Sequence, residues 1–286
     1  MGQRSCPVLV TTRTKGLGCS VIVPTALSPS TVEAMSAPTV TAGVVIPCLN
    51  DAAMLRDCLL ALTHQNRLPD EIVVVDNGST DNSVEVAHSF GARVLHEPVR
   101  GIWPASATGF DAIGTDLIFR VDADSHPKPD WLEEGICQFA DDPQLDLLVG
   151  PGDFYGDKAW ANWVGTNLYV GALRPIWNPY LGHAGPFGSN LGFRKEVWAQ
   201  IRNRVTKHTA EVHDDMDMGY HIEPWMNTKY NHYWRMPVSA RPFDSWASFG
   251  RRLRLVERTL QANWPEARPF VHRRRRYRWR RALRMD

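Results

Sequence analysis

The chain has 286 residues, 43% hydrophobic and 22% charged, the balance of an ordinary globular protein of one large domain or two small ones. Net charge is only +1, yet residues 251–286 hold 13 arginines against 3 acids, so about +10 sits on that stretch and about −9 on the rest. No window approaches ~20 uninterrupted apolar residues, so no transmembrane helix is expected.

Residues 1–40 are rich in Ser, Thr, Pro and Val without a sustained period. Their apolar patches, Pro7–Val10 and Val21–Leu27, are short and broken, unlike a signal peptide. They are expected to be a poorly ordered leader, with Met35 as an alternative start. From Thr41 the pattern is regular. Gly43–Pro47 reads as a short buried strand, and Asp51–Thr63 as a helix with Leu55, Leu59 and Leu62 on one face. Asp70–Asp76 is a second strand whose unbroken Ile72–Val75 run implies cover on both faces, as in a parallel sheet between helices. Asp81–Phe90 reads as helix, Ala92–His96 as strand and Ala105–Ile113 as helix. Leu117–Val121 is a fourth strand, Asp130–Phe139 a helix and Leu145–Val149 a fifth strand. The alternation predicts an α/β fold, a mostly parallel sheet flanked by helices with right-handed crossovers. Three domain segments are expected: the leader 1–40, a sheet domain over 41–250 and an Arg-rich extension over 251–286.

Ligands of such sheets bind at the carboxyl ends of the strands. Those ends are Pro47-Cys48-Leu49-Asn50, Asp76-Asn77-Gly78-Ser79 and Asp122-Ala123-Asp124. An Asp-x-Asp closing a hydrophobic strand sets two hard oxygen donors at a sheet edge, suited to Mg²⁺ or Mn²⁺ bridging to phosphate. Asp76-Asn-Gly-Ser-Thr-Asp81 reads as a turn in which Ser79 or Thr80 caps the next helix, with Asp76 free to accept from a nucleobase N–H. Beyond Gly150, Trp160, Trp163, Tyr169, Trp177 and Tyr180 fall among glycines and prolines, either as core or as rigid faces for an acceptor. Five cysteines, odd in number and without CxxC spacing, point to a reduced cytoplasmic setting and no zinc cluster.

Val44-Val-Ile-Pro-Cys-Leu-Asn-Asp51, Val74-Val-Asp-Asn-Gly-Ser-Thr-Asp81 and Val121-Asp-Ala-Asp124 together resemble the ordered signature of family 2 glycosyltransferases. These are inverting enzymes of the nucleotide-diphospho-sugar transferase (GT-A) fold. The resemblance covers about residues 42–222. It implies a metal-dependent, hexosyltransferase-like enzyme that moves a sugar from a UDP- or GDP-sugar to an acceptor hydroxyl. It also implies that Pro47, Asn50, Asp76 and Asp122 line the nucleotide pocket, and that Asp122 and Asp124 hold the metal. Gly185-Pro-Phe-Gly-Ser-Asn-Leu-Gly-Phe-Arg194 is similar to the family's stretch beside donor sugar and acceptor, which nominates Gly188, Ser189 and Asn190. Glu211-Val-His-Asp-Asp-Met-Asp-Met-Gly-Tyr220 resembles its Glu-Asp-x-Asp-Leu stretch, with Asp214, beside the sugars, in place of the usual Glu and Asp215 as catalytic base. Direct inversion independently needs a group to take the acceptor's proton. A helix N-terminus enriched in acids for its dipole is the plain alternative for Asp214–Asp217. The Gln-x-x-Arg-Trp signature of processive synthases is absent.

Phe270–Arg284 carries eight arginines interleaved with Tyr277 and Trp279. The readings are docking of Arg273–Arg281 on an anionic membrane surface, a solvated tail or, last, nucleic-acid binding. Docking would make the protein peripheral at the cytoplasmic face and would suit a lipid-linked or glycan acceptor. Two other functions compete. A nucleotidyltransferase usually opens with a glycine-rich basic loop, which Pro47–Asp51 lacks, and a non-catalytic anion-binding protein would use the tail as its working end.

Overall fold

The protein's computed structural model describes residues 40–163, 165–167, 178, 180–209, 211–241, 246–264 and 266–284. The expected leader lies outside the described residues up to 39, as do Tyr169 and Trp177. Among the described residues nine strands run in chain order: β1 (Ala42–Cys48), β2 (Glu71–Asp76), β3 (Arg93–His96), β4 (Leu117–Arg120), β5 (Leu145–Val149), β6 (Gly152–Tyr155), β7 (Leu191–Arg194), β8 (Asn227–Tyr230) and β9 (Met236–Ser239). Helices α1 (Ala52–Thr63), α2 (Ser83–Ser89), α3 (Ile102–Ala112) and α4 (Trp131–Asp141) connect the first five strands.

Seven strands make one sheet in the order β3-β2-β1-β4-β7-β5-β8, and β6 pairs with β9 in a second, parallel pair. β1, β2, β3 and β4 are mutually parallel, as the βα alternation requires. The order reverses at β1, which pairs with both β2 and β4, and it is interrupted again beyond β4. β7 inserts antiparallel between β4 and β5, and it holds both through Phe119↔Gly192 and Leu148↔Gly192. The insertion carries the Gly188–Asn190 turn, which immediately precedes β7, to the carboxyl end of β4.

Side-chain alternation explains why the early strands read as continuous apolar runs. Ala42, Val44, Ile46 and Cys48 of β1 join one buried cluster with α1, α2 and α4. Val45 joins the other, with α3 and the helix Lys195–Ile201. In β2, Val74 faces the first cluster and Val73 and Val75 face the second. α3 lies so close to the sheet that a methyl at Gly109 would come within 2.3 Å of Val45 Cγ1.

The charge change near residue 250 is not a break in the chain's structure. The helix Trp246–Ala262 runs through the boundary expected at 250/251, and Thr41–Asp286 forms one compact unit. The Arg-rich segment is a helix, Val271–Ala282, with His272 and Arg276 buried. Arg276 donates from Nη1 to the carbonyl of Met226 (2.9 Å) and from Nη2 to that of Glu223 (3.1 Å). A guanidinium used in this way satisfies backbone acceptors that have no partner in a strand or helix.

Candidate functional site

The carboxyl ends of β1, β2 and β4 lie on one edge because these strands are parallel. Pro47 is buried in β1 opposite Val75. Asn50 follows in the left-handed region (φ 53°) and is fastened to the β2 loop. Its N–H donates to Ser79 Oγ (3.0 Å), and its Oδ1 accepts from the Thr80 N–H (2.7 Å). Ser79 and Thr80 therefore serve the loop rather than capping α2, where Ser83 donates to Asp81 instead. Asp76 is buried and accepts from the N–H groups of Gly78 (3.2 Å) and Ser79 (3.0 Å), with His96 Nδ1 at 3.1 Å. Partial burial works against its charge, but these hydrogen bonds prevail and hold the carboxyl below the usual range. Gly78 supplies the positive φ (85°) that the Asn-Gly turn demands.

One residue organises the acids, and the sequence reading missed it. Arg120, the last residue of β4, is 3% exposed and donates from Nη2 to Asp122 Oδ1 (2.7 Å). Its Nη1 lies 3.2 Å from Asp214 Oδ2 and 3.5 Å from Asp215 Oδ1. Ser189 Oγ donates to the other oxygen of Asp122. The Asp-x-Asp turn, the Gly188–Asn190 turn and the helix Asp214–His221 thus meet at one guanidinium. Burial, then the neighbouring charge of Asp214, pushes the Asp215 carboxyl up to about 6, with His213, Arg120 and the Gly188 N–H opposing. Such a group is mostly ionised at neutral pH yet basic enough to take a proton.

Gly188 is required by contact. A Cβ there would sit 1.0 Å from Arg120 Nη1 and 2.8 Å from Asp215 Oδ1. Gly188→Ala should therefore expel Arg120 from its place. We expect a loss of stability of ~1–3 kcal/mol from overpacking, together with loss of activity, measured by urea melts and assay. Wild-type values for both would contradict the packing.

Asp124 is the second acid of the pair. Burial, then repulsion from Asp122, raises its carboxyl to about 6, although Arg241 opposes the rise. Two hard carboxylates crowded at one turn are the donor type a divalent cation takes, although Arg120 and Arg241 each engage one of them here. Asp122 and Asp124 would hold it. A second group, His213, Asp214 and Asp215, brings ligand atoms within 4.8 Å of one another and shares Arg120 with Asp122.

The nominated Asn190, and Asp217 in the acidic stretch, have structural duties. Asn190 is fully buried: its Oδ1 accepts from Trp131 Nε1 (2.9 Å) and its Nδ2 donates to the Trp234 carbonyl (2.6 Å). It thereby locks the stacked pair Trp131–Trp234 (5.5 Å, 5°) and can position a sugar subsite only through Ser189. Asp217 is also fully buried, accepting from Trp103 Nε1 (2.8 Å), Thr206 N–H (2.7 Å) and Asn263 Nδ2 (2.8 Å). It anchors the acidic helix to α3 and to the end of the helix Trp246–Ala262. Trp160 and Trp163 are exposed, while Tyr180 is half-buried against Phe270 (6.3 Å).

The model of glycosyl transferase family 2 matches residues 43–202. The glycosyltransferase AglE of Haloferax volcanii is 30% identical over 119 residues, 39% of each chain. An uncharacterized glycosyltransferase of Mycobacterium tuberculosis is 34% identical over 171 residues, 60% of this chain and 62% of that one. The chain spans between 39% and 62% of the length of these two curated relatives. Among solved structures, glucosyl-3-phosphoglycerate synthase of M. tuberculosis, crystallised with Mn²⁺, UDP and glucosyl-3-phosphoglycerate, is similar with a TM-score of 0.57. It is 21% identical, with 79% of this chain and 80% of that one covered.

Proposed function

The chain belongs to glycosyl transferase family 2 and has the GT-A fold, and we propose that it is a glycosyltransferase that inverts the anomeric centre of a nucleotide-diphospho-sugar by direct transfer to an acceptor hydroxyl. Family membership sets aside the nucleotidyltransferase and the non-catalytic alternatives. The observation that carries the reading is the shared guanidinium of Arg120, which draws the Asp-x-Asp turn and Asp215 to one centre. A transferase needs that proximity, because the leaving diphosphate and the attacking hydroxyl flank the same carbon.

In this reading Asp76 accepts from the base, with Pro47 and Asn50 shaping the nucleoside pocket. Asp122 and Asp124 hold Mg²⁺ or Mn²⁺, which when bound would neutralise the leaving diphosphate. Asp215 takes the acceptor's proton, and Asp214, Gly188 and Ser189 set the sugar and acceptor subsites. UDP is the first nucleotide to try, because the similar synthase was crystallised with UDP and Mn²⁺. GDP fits the same hydrogen-bonding at Asp76. Trp160 and Trp163 offer apolar faces for a glycan or lipid-linked acceptor.

The test is Asp124→Asn. Removing a ligand carboxylate at a strand end opens no core cavity, so the fold should persist while metal-dependent transfer falls at least about a hundredfold. Metal-activated transfer at the wild-type rate by this variant would remove Asp124 from the metal site.

Among the described residues, no helix is long and apolar enough to cross a membrane. Peripheral docking is the reading we attach to the Arg-rich helix at the cytoplasmic face. Its buried side holds His272 and Arg276, while Arg273, Arg274, Tyr277, Arg278 and Arg281 with Phe270 line an outward groove of about 570 Å³. Anionic lipid head groups suit this face, each basic side chain contributing ~1 kcal/mol at low salt. Truncation would strip the carbonyls of Glu223 and Met226 of Arg276, so charge substitution is the cleaner test. Arg273, Arg274, Arg278 and Arg281 all changed to Gln should release the protein from phosphatidylserine vesicles in low salt without loss of transfer to a soluble acceptor. Undiminished vesicle binding would refute docking, as would a loss confined to RNA binding.

A further inference from the structure

Arg241 stands two residues beyond β9, and its backbone is fixed by that strand pair. The preceding Ala240 N–H donates to the Tyr155 carbonyl (2.8 Å), and the Arg241 N–H to Ser239 Oγ (3.3 Å). From this anchor the side chain reaches two motifs far away in sequence. Nη1 and Nη2 donate to the two oxygens of Asp51, each at 2.7 Å, forming a fork. Nη2 also donates to Asp124 Oδ2 at 3.0 Å. The guanidinium therefore ties the first loop of the sheet edge to the Asp-x-Asp turn.

Arg120 and Arg241 differ in freedom. Arg120 is 3% exposed and spent on Asp122, Asp214 and Asp215. Arg241 is 47% exposed, so it can turn without opening the core. Its contact with Asp124 is also the longer one, and the planar fork on Asp51 can persist when that contact breaks. A cation placed on Asp124 competes with any divalent ion for the same oxygen. Once displaced from it, a guanidinium still hinged at Asp51 lies beside the place where a metal-bound diphosphate belongs, and guanidinium matches phosphate oxygens bidentately.

We propose that Arg241 is a tethered cation of the diphosphate subsite. It pairs with Asp124 as seen here, yields that carboxylate to a divalent ion and then binds the donor's diphosphate while Asp51 keeps the fork. The proposal rests on the reading of Asp124 as a metal ligand. Arg241 is a binding residue in this account and performs no bond-making step.

The two roles have opposite signs when the charge is removed, and calorimetry with Mn²⁺ alone and with inorganic pyrophosphate separates them. Arg241→Gln should bind Mn²⁺ about three- to tenfold more tightly in the nucleotide-free protein, because the competitor is gone. It should bind pyrophosphate at least about tenfold more weakly, with Mn²⁺ or with chelator, because a charge-assisted pair is lost. Arg241→Lys keeps the charge without the fork and should retain pyrophosphate binding within about threefold. A merely structural arginine predicts weaker binding of both probes by Arg241→Gln, and that result overturns the proposal. Unchanged affinity for either probe does so too, as does equal loss of pyrophosphate in the Gln and Lys variants. Asp124→Asn marks which idea has failed. If it loses Mn²⁺ while Arg241→Gln changes nothing, the metal site stands and the tethered cation falls. If it binds Mn²⁺ like wild type, the metal reading fails and the proposal with it.

Discussion

Asp215→Asn should lower turnover by ~10²–10⁴-fold while leaving donor affinity within about threefold, since general-base catalysis contributes that range and the nucleotide pocket is untouched. The geometry sets Asp215 apart from its neighbours. Asp214 lies closer to Arg120 (3.2 Å against 3.5 Å), so its charge is the better compensated of the two. Asp217 is sealed among Trp103, Thr206 and Asn263 and cannot meet a substrate. Because burial and Asp214 raise the Asp215 carboxyl to about 6, wild-type turnover should climb through that pH as the base ionises. The residual turnover of Asp215→Asn should lack that limb. Stability carries the same signature with opposite sense. A carboxyl whose folded value exceeds its ordinary 3.8 contributes stability that is complete below the ordinary value and is lost as pH rises through about 6. The Asn variant should not show that decline. Normal turnover by Asp215→Asn, alongside a dead Asp214→Asn, would move the base by one residue.

Arg120→Met should cost ~3–5 kcal/mol of stability at neutral pH, a large part of a typical domain's 5–15 kcal/mol, read from urea midpoints. The side chain is 3% exposed and neutralises Asp122, Asp214 and Asp215 together. Methionine fills much of the volume but leaves those acids uncompensated, and that residue of charge rather than a lost contact is the cost. The penalty should therefore shrink as pH falls toward about 6, because an Asp215 no longer held down by Arg120 takes up its proton above that pH. A pH-independent loss would indicate packing alone, and no loss at all would mean that the acids do not depend on Arg120.

β1 and β2 were legible because a parallel strand covered on both faces must be apolar along its length, as Val73, Val74 and Val75 are. The later strands carry no such mark. β7 is a four-residue strand containing Gly192, and only its antiparallel pairing with β4 and β5 gives it a place. Arg120 went unrecognised because it reads as the polar end of an apolar run. The available signal was a lone cation two residues before an Asp-x-Asp at the end of a strand buried on both faces. Asn190 and Asp217 have residue types common in sites, and their partners Trp131, Trp234, Trp103 and Asn263 are 44–114 residues distant in sequence, beyond local pattern. The Arg-rich segment looked like a solvated tail because its charge hides a buried side, where Arg276 binds carbonyls of Glu223 and Met226.

The central claim is that Asp122 and Asp124 present a divalent cation to the diphosphate of a nucleotide-sugar donor. Thermal melting with UDP, GDP and dTDP, each with Mn²⁺ or with chelator, tests it on wild type and Asp124→Asn. At a hundredfold excess over Kd a bound nucleotide adds ~2.7 kcal/mol, enough to move a melting temperature by several degrees. We expect one nucleotide to raise the wild-type Tm more with Mn²⁺ than with chelator, and Asp124→Asn to lose that Mn²⁺-dependent increment. No Mn²⁺-dependent rise with any of the three nucleotides, or the same rise in Asp124→Asn, would contradict the account.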